Sequence, residues 1–505
     1  MAELCFTDFQ KNIRINQLIG KPKASDFEKI DQLFIILPKK TTDKIWSSIP
    51  QGKNVKLLIA KSASKGLSTI STRLPNKKQT AIHVTKIANN LEAFERLTIA
   101  RKITQLVLKE KAGSIAFWVL GFDEHNQILI TKDMISAGLA QKFLMPEFKS
   151  KPVKEKINSI KLIGLSHRIN LDRELAEAQG NNLARWLTAL PANKLDAINY
   201  QDLIIRMSKE FNWDIDIYKS AELKKMNAGA FLAVAQGNEN DSAAIIKLKY
   251  KPQGHGSEKT LSLVGKGIIF DTGGTNLKPF NSMLDMHIDM GGSAVALGTL
   301  LAITKLKLPI EVDCWLAITE NRTGPEAYKS QDIITAANGK TIQTIHTDAE
   351  GRMVLADTLF FAGKEKPDFI IDYATLTGAC MNAVTTRYSG GFTNYPDLHP
   401  IIKKCGRDSG ERIWPFPIGN EFMNDLASET ADIKQCSPGG GGDHIHAACF
   451  LNEFVDPNIP WLHIDLSAAS NKGGLGHIPS KITGFGVRFT LNLIIEKNIL
   501  HRNDN

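Results

Sequence analysis

Short apolar runs alternate with amphipathic stretches along the first third of the chain. The stretch 90–112 places apolar residues three and four positions apart, which predicts a helix. The apolar runs are expected to be β-strands, and they lie at 33–38, 55–60, 79–87 and 115–122. Strands that alternate with helices in this way favour a mostly parallel α/β sheet.

A second and longer α/β block begins near residue 170. Residues 171–190 predict an amphipathic helix that ends before Pro191, and residues 351–365 have the apolar spacing of another helix. Apolar runs typical of strands buried on both faces lie at 243–250, 261–271, 309–318 and 368–378.

With 505 residues, the chain is too long for one ordinary hydrophobic core. We therefore predict an α/β protein of two domains. Residues 1–165 would form a smaller, basic N-terminal α/β domain. Residues 170–505 would form a larger C-terminal α/β domain with a central mixed sheet flanked by helices.

The composition, 43% hydrophobic and 23% charged residues, is typical of a globular protein. The N-terminus lacks the basic and apolar segments of a signal peptide. The apolar stretch 290–304 is shorter than the roughly 20 residues that a membrane helix needs, so a buried core helix and no membrane association are predicted. Six cysteines without C-x-x-C spacing indicate reduced thiols and a cytoplasmic location.

The net charge of +9 is unevenly distributed. Residues 1–170 contain 29 Lys and Arg against 14 Asp and Glu, or +15, and the remainder contains 33 against 39, or −6. Because lysine-rich surfaces favour contacts with phosphates, sequence-specific DNA binding by the N-terminal third is an alternative function. A generic basic surface is the competing interpretation, since the densest basic run, 64–80, contains no aromatic residue.

The segment 346–353, HTDAEGRM, allows two interpretations. On a helix, Asp348 and Arg352 would form an ion pair four residues apart. In an extended segment or turn, Asp348, Glu350 and Arg352 would point to one side. The predicted helix at 351–365 leaves the acidic residues in a strand-to-helix connection, where ligands bind in α/β sheets. The extended alternative is therefore predicted.

Carboxylates and lysines flank several of the apolar strands. They are Asp271, Asp289, Asp348, Glu350, Lys266 and Lys278. Buried carboxylates need cations, and four of them exceed what one catalytic zinc ion normally takes, whereas a dinuclear site uses bridging carboxylates. A lysine amine could join as a ligand only when neutral. The alternative is a set of buried salt bridges among Lys266, Lys278, Arg352 and the carboxylates.

Four segments decide between these alternatives by resemblance. VGKGIIFDTGGTNLKP, MHIDMGGSA, TDAEGR and DYATLTGA resemble, in order and spacing, the leucyl (cytosol) aminopeptidase family of dinuclear metallopeptidases. The similarity runs from about residue 175 to 490. It implies removal of N-terminal residues, leucine or other apolar ones, from peptides with a free N-terminus. It also implies two divalent metal ions per subunit, bicarbonate as general base, and a homohexamer built as a dimer of trimers. The candidate metals are Mn²⁺ and Zn²⁺, with Mg²⁺ and Co²⁺ as further candidates.

The resemblance also implies a role for each matching residue. The metal ligands would be Lys266, Asp271, Asp289, Asp348 and Glu350. Lys278 matches the catalytic lysine that polarises the substrate carbonyl. Arg352, with the backbone amide of Leu376, matches the group that holds bicarbonate. The first substrate pocket would be lined by Met286, His346, Ala349, Thr375 and Gly378.

One residue departs from the family pattern, and one glycine-rich segment needs a separate interpretation. His346 occupies a position where the family usually has asparagine, and an imidazole is bulkier and can become charged near pH 6.5. The preference for leucine is therefore the least predictable property. Residues 437–448, SPGGGGDHIHAA, are predicted to shape the pocket rather than to bind phosphate or metal.

Overall fold

The computed structural model describes residues 13–61, 69–109, 112–151, 157–252 and 259–500. The chain divides into two compact units, Met1–Ala178 with Gly473–Ser480, and Gln179–Lys472 with Lys481–Asn505. The α/β fold class is confirmed, with a mixed sheet at the centre of the larger unit. The domain limits at 165 and 170 stay a prediction.

The first unit contains a six-stranded sheet in the order β1-β6-β5-β2-β4-β3. Its strands are β1 (Arg14–Ile19), β2 (Gln32–Pro38), β3 (Thr69–Arg73), β4 (Ala81–Ile87), β5 (Ser114–Val119) and β6 (Ser159–Leu165). All neighbouring strands are parallel except β3, which pairs antiparallel with β4. The mostly parallel sheet follows from the helices that connect the strands.

The second unit contains an eight-stranded mixed sheet in the order β15-β14-β17-β13-β9-β10-β8-β7 and a three-stranded sheet in the order β11-β12-β16. The strands are β7 (Asp214–Lys219), β8 (Ala244–Tyr250), β9 (Thr260–Asp271), β10 (Glu311–Asn321), β11 (Ile333–Thr335), β12 (Thr341–Gln343), β13 (Phe369–Ala374), β14 (Ser389–Thr393), β15 (Ile413–Pro415), β16 (Ile433–Lys434) and β17 (Trp461–Asp465). Strand β9 is parallel to both β10 and β13, so their carboxyl ends lie at one edge.

The helices cover the sheets and connect the strands. They are α1 (Ala24–Phe27), α2 (Asp43–Ser48), α3 (Gly52–Lys61), α4 (Ala93–Thr104), α5 (Glu124–Lys142), α6 (Asp172–Ala189), α7 (Ala197–Phe211), α8 (Ser220–Lys225), α9 (Gly229–Ala235), α10 (Phe280–Met283), α11 (Gly291–Leu306), α12 (Glu350–Lys364), α13 (Gly378–Val384), α14 (His399–Ser409), α15 (Asn420–Met423), α16 (Asp443–Asn452) and α17 (Val487–Ile495). A 3₁₀ helix, Met286–Met290, precedes α11.

The apolar stretch at 290–304 forms α11 in the core of the second unit. By length and composition, the helical segment Met286–Leu306 could cross a membrane, but 83% of its apolar window is buried within the protein. Core helices of soluble proteins can be equally long and equally apolar. The prediction of a buried core helix is confirmed.

One predicted strand is wrong. Residues 55–60 belong to helix α3, on which Val55 is buried while Leu57 and Leu58 are exposed. Leucine, alanine and lysine dominate this run and favour a helix, and a short apolar run carries no periodicity that could distinguish the two structures.

Candidate metal centre and active site

The carboxyl ends of three parallel strands bring polar side chains to one edge of the larger sheet. Asp271 ends β9, and its register partner on β10 is Asn321. Thr375 and Leu376 follow β13 directly. Ligands bind at this edge of α/β sheets, because the loops that leave the strands surround it.

Lys266 lies in the middle of β9 and contacts two of the predicted ligands. Its Nζ is 2.7 Å from Asp289 Oδ2 and 2.8 Å from Glu350 Oε1, and it donates to the Thr375 carbonyl at 3.0 Å. Burial disfavours the ammonium, but Asp289 and Glu350 outweigh burial and raise the pKa of Lys266 above its ordinary value. Lys266 is therefore a cation held between two carboxylates.

Lys278 contacts the other two carboxylates. Its Nζ is 2.8 Å from Asp271 Oδ2 and also contacts Asp348 Oδ1. Oxygen atoms of Asp271, Asp348 and Glu350 all lie within 4.8 Å of one another. The four predicted carboxylate ligands and the two lysines thus form one cluster.

Two glycines allow these groups to approach each other. Gly273 has a positive φ of 87°, and a Cβ there would lie 2.5 Å from Asn276 O and 3.0 Å from Asp348 Oδ1. A Cβ at Gly351 would lie 2.7 Å from Lys266 Nζ. The glycines of the motifs therefore leave room for the charged side chains of the cluster.

The charges of the cluster fit divalent cations. Four carboxylates face two lysines, so the cluster carries a net charge of −2 when all six groups are ionised. Glu350 Oε2 is buried and accepts no hydrogen bond from the residues that the structure describes. Buried carboxylate oxygens without partners are costly, and hard divalent ions bind oxygen ligands. The residues present therefore fit divalent cations.

We predicted an extended segment or turn through Asp348, Glu350 and Arg352, and the structure has a turn at 347–348 that does not continue beyond Ala349. Helix α12 begins at Glu350, so Glu350 and Arg352 lie in its first turn while Asp348 precedes it. The prediction that alternation turns the three side chains to one side is wrong. The ion pair between Asp348 and Arg352 is not formed either, because Arg352 Nη2 donates to both carboxylate oxygens of Asp443 at 2.8 Å.

Of the predicted pocket residues, two contact the ligand cluster directly. Thr375 Oγ1 donates to Asp289 Oδ1 at 2.7 Å. His346 Nδ1 accepts from the backbone amide of Asp348 at 3.3 Å, and burial together with the Lys278 ammonium lowers the pKa of His346. Met286, at the start of the 3₁₀ helix, and Gly378, at the start of α13, are placed on flanking segments. The pocket stays a prediction.

Sequence reasoning missed several residues that hold the site. Asn321 Nδ2 donates to Asp271 Oδ1 at 2.8 Å, and its position at the end of an apolar run could have revealed it. The Leu376 amide, predicted to bind bicarbonate, donates to Asp465 Oδ1 at 3.2 Å. Gln435 and Asp443 were missed because their contacts are distant in the chain, although Asp443 lies in the segment 437–448 that was predicted to shape the pocket.

Metal binding is expected to strengthen as the pH rises from about 6 to about 9. Burial raises the pKa of Asp289 to about 8 against the opposing Lys266, and burial with Asp271 raises that of Asp348 to about 6. Both folded-state pKa values lie above the pKa of an aspartate in the unfolded chain. The stability that the two protonated carboxyl groups contribute to the metal-free protein is therefore lost as the pH rises through 6 and 8. Metal ligands must be deprotonated. The gain in unfolding temperature on adding Mn²⁺ should therefore be larger at about pH 9 than at about pH 6.

Asp289→Asn provides the control, because an amide cannot ionise and the pH dependence of the metal-free protein should flatten above about pH 6. A Mn²⁺-induced shift of the same size at both pH values would contradict the expectation.

The part of the chain that contains this site is similar to proteins of a known family. The sequence model of the cytosol aminopeptidase family, catalytic domain, matches residues 182–491. A probable cytosol aminopeptidase of Aquifex aeolicus is 38% identical over 371 residues, which cover 73% of this chain and 74% of that protein. One from Nostoc punctiforme is 35% identical over 460 residues, which cover 87% of this chain and 90% of that protein.

Two solved structures are similar over nearly the whole chain. A mutant of tomato leucine aminopeptidase is 25% identical with a TM-score of 0.83, covering 96% of this chain and 97% of that one. The bottromycin maturation enzyme BotP in complex with Mn is 26% identical with a TM-score of 0.81, covering 92% of this chain and 99% of that one.

Proposed function

The chain belongs to the cytosol aminopeptidase family, and on that premise we propose that it removes leucine or other apolar N-terminal residues from peptides at the carboxylate cluster. It is a metal-dependent aminopeptidase, a hydrolase. The observation that carries the proposal for this site is the convergence of Asp271, Asp348 and Glu350 within 4.8 Å, beside Lys266 and Lys278.

Five residues would hold two divalent ions, and they are Lys266, Asp271, Asp289, Asp348 and Glu350. Such ions, when bound, polarise a carbonyl and lower the pKa of water towards neutrality. We infer Mn²⁺ or Zn²⁺, with Mg²⁺ or Co²⁺ as alternatives. The Mn in the structure of BotP supports a metal of this class. Lys266 would have to lose its proton to become a ligand.

Lys278 acts as a cationic hydrogen-bond donor. Burial opposes its charge, but Asp271 and Glu350 outweigh burial and raise the pKa of the lysine above its ordinary value. Its side chain keeps 13% of its surface exposed beside the cluster, so the ammonium can meet a bound peptide. A fixed cation stabilises the negative charge that develops on the carbonyl oxygen during attack by water.

The general base is an anion held by Arg352. Bicarbonate is the anion that the family resemblance implies. Arg352 Nε is buried and has no hydrogen-bond partner among the described parts of the chain, which supports a further acceptor there. The Leu376 amide could take part only if it left Asp465.

His346 is the residue that we expect to set the preference for the first residue. Wild-type enzyme loaded with Mn²⁺ or Zn²⁺ should hydrolyse Leu-, Met- and Ala-p-nitroanilide, and N-acetylated Leu-p-nitroanilide should be inert because it lacks the free amine. His346→Asn should change the relative kcat/KM values of the three substrates by several-fold, about 1 kcal/mol in differential binding. The measurement is a substrate profile of both proteins.

Absence of turnover on every free-amine substrate, with two metals bound, would reject the function. An unchanged profile in His346→Asn would reject only the role of His346 in specificity. The matched control is His399→Asn, at the start of α14, which is predicted to keep the wild-type profile.

Other parts of the proposal depend on the family alone or on charge. A homohexamer arranged as a dimer of trimers and a cytoplasmic location stay predictions. DNA binding through the basic N-terminal third also stays a prediction. Residues 64–68 of the basic run at 64–80 lie outside the described residues, and the rest includes β3.

A further inference from the structure

Asp443 places a carboxylate of the chain itself on the arginine of the site. It is the first residue of α16 and follows the glycine run 439–442. Arg352 Nη2 donates to Asp443 Oδ1 and Oδ2, both at 2.8 Å. These are charge-assisted hydrogen bonds, which are stronger than neutral ones. The Asp443 side chain therefore forms a directed ion pair with this arginine.

The two partners differ in burial. The Arg352 side chain is 2% exposed, whereas 29% of the Asp443 side chain is exposed. A buried guanidinium needs a counter-charge, and Asp443 supplies it. The Asp443 carboxylate is itself partly open to solvent.

A second set of contacts fixes this segment to the metal-binding turn. Gln435 Oε1 accepts from the His346 amide at 3.1 Å, and Gln435 Nε2 donates to the Ala349 carbonyl at 3.1 Å. The Gln435 carbonyl accepts from Arg352 Nη1 at 3.2 Å. The segment that leads to Asp443 is thus attached to the residues on both sides of Asp348.

The glycine run allows Asp443 to reach Arg352. Gly442 has a positive φ of 68° immediately before α16, a conformation that other residues rarely adopt. At the start of α16, which is ten residues long, the helix dipole also favours a negative charge. The positive φ and the helix dipole both favour a carboxylate at this position, and its direct contact with Arg352 defines its role.

We propose that Asp443 supplies the anion on Arg352, so that this enzyme needs no external bicarbonate. The proposal rests on the proposed aminopeptidase function and names the general base. The proton that the attacking water loses goes to the Asp443 carboxylate and then to the nitrogen of the leaving amine. While Asp443 holds both hydrogens of Nη2 and Gln435 accepts one from Nη1, bicarbonate is left with Nε and the second hydrogen of Nη1 as donors.

The test compares bicarbonate dependence in full-length, Mn²⁺-loaded enzyme in CO₂-free buffer. Wild-type kcat/KM is expected to change less than about twofold when bicarbonate is added. Asp443→Ala is expected to lose about 10² in kcat/KM without bicarbonate, the size of a general-base contribution. Bicarbonate, formate or acetate should restore at least about a tenth of wild-type activity in that variant, since a small anion can then bind Arg352.

Asp425→Ala is the matched control, because Asp425 contacts α16 through His446 at 3.0 Å without touching Arg352. It should match wild type with and without bicarbonate. Metal content and unfolding temperature show whether each variant folds. If Asp443→Ala does not fold, Asp443→Asn is used in its place.

Three results would overturn the proposal. They are a bicarbonate requirement in wild type, wild-type activity of Asp443→Ala without bicarbonate, and a folded Asp443→Ala that none of the anions restores. If no variant folds, the bicarbonate dependence of wild-type kcat/KM is sufficient to accept or reject the proposal. Inactivity of the wild type under every condition would instead reject the aminopeptidase function itself.

Discussion

Lys278→Met is expected to lower kcat by about 10²–10³ while the protein keeps its metals, because the variant lacks one fixed donor to the developing oxyanion. Lys278 is the residue for this role because its raised pKa keeps it charged and its Nζ lies 2.8 Å from Asp271 Oδ2. Methionine keeps the length of the side chain without the charge. KM should change much less than kcat, since the lost interaction belongs to the transition state.

Metal content separates this effect from a damaged metal site. Removing the ammonium leaves Asp271 and Asp348 with one cation fewer, so the affinity for divalent ions should stay equal or increase. Kinetics at saturating Mn²⁺ and metal analysis of the purified protein measure both quantities. Lys404→Met, which breaks a surface pair with Asp408, is the control and should keep wild-type kcat. A kcat of Lys278→Met close to that of wild type would contradict the assigned role.

The arrangement of the strands could be predicted from the sequence because buried strands have long apolar runs. The runs at 243–250, 261–271, 309–318 and 368–378 correspond to β8, β9, β10 and β13. Asp271 could be placed at a strand end for the same reason. The helical run at 55–60 was misassigned because its length and apolar content fit both structures.

The local geometry of the site could not be predicted in the same way. Asp348 and Glu350 approach each other through the turn at 347–348 and the first turn of α12, whereas the predicted alternation assumed that an extended or turn conformation continues to Arg352. The partner of Arg352 lies 91 positions away at Asp443. Periodicity describes neighbours along the chain, so it carries no information about such a pair.

Glu350→Gln is expected to abolish metal-dependent activity and to weaken metal binding by more than about 100-fold. Loss of a group that only orients a metal ligand already costs about 10–100-fold in affinity, and Glu350 is itself proposed as a ligand. At a metal concentration 100 times the wild-type Kd, the wild type gains about 2.7 kcal/mol of stability and the variant gains about 0.4 kcal/mol or less. Thermal unfolding with and without Mn²⁺ measures the difference.

The metal-free proteins should behave in the opposite way. Burial and Asp271 raise the pKa of Glu350, so its contribution to stability is lost as the pH rises through that folded value. Glutamine cannot ionise, and Lys266 keeps its contact with Asp289 at 2.7 Å. In a chelator, the variant should therefore unfold at the same temperature as wild type or higher, with an advantage that grows with pH. Glu222→Gln, on exposed α8, should change neither curve. Without metal, the loss of one negative charge should reduce the repulsion among the carboxylates of a cation-binding site. A metal-free variant that is much less stable than wild type would therefore show that Glu350 serves mainly as a structural partner of Lys266.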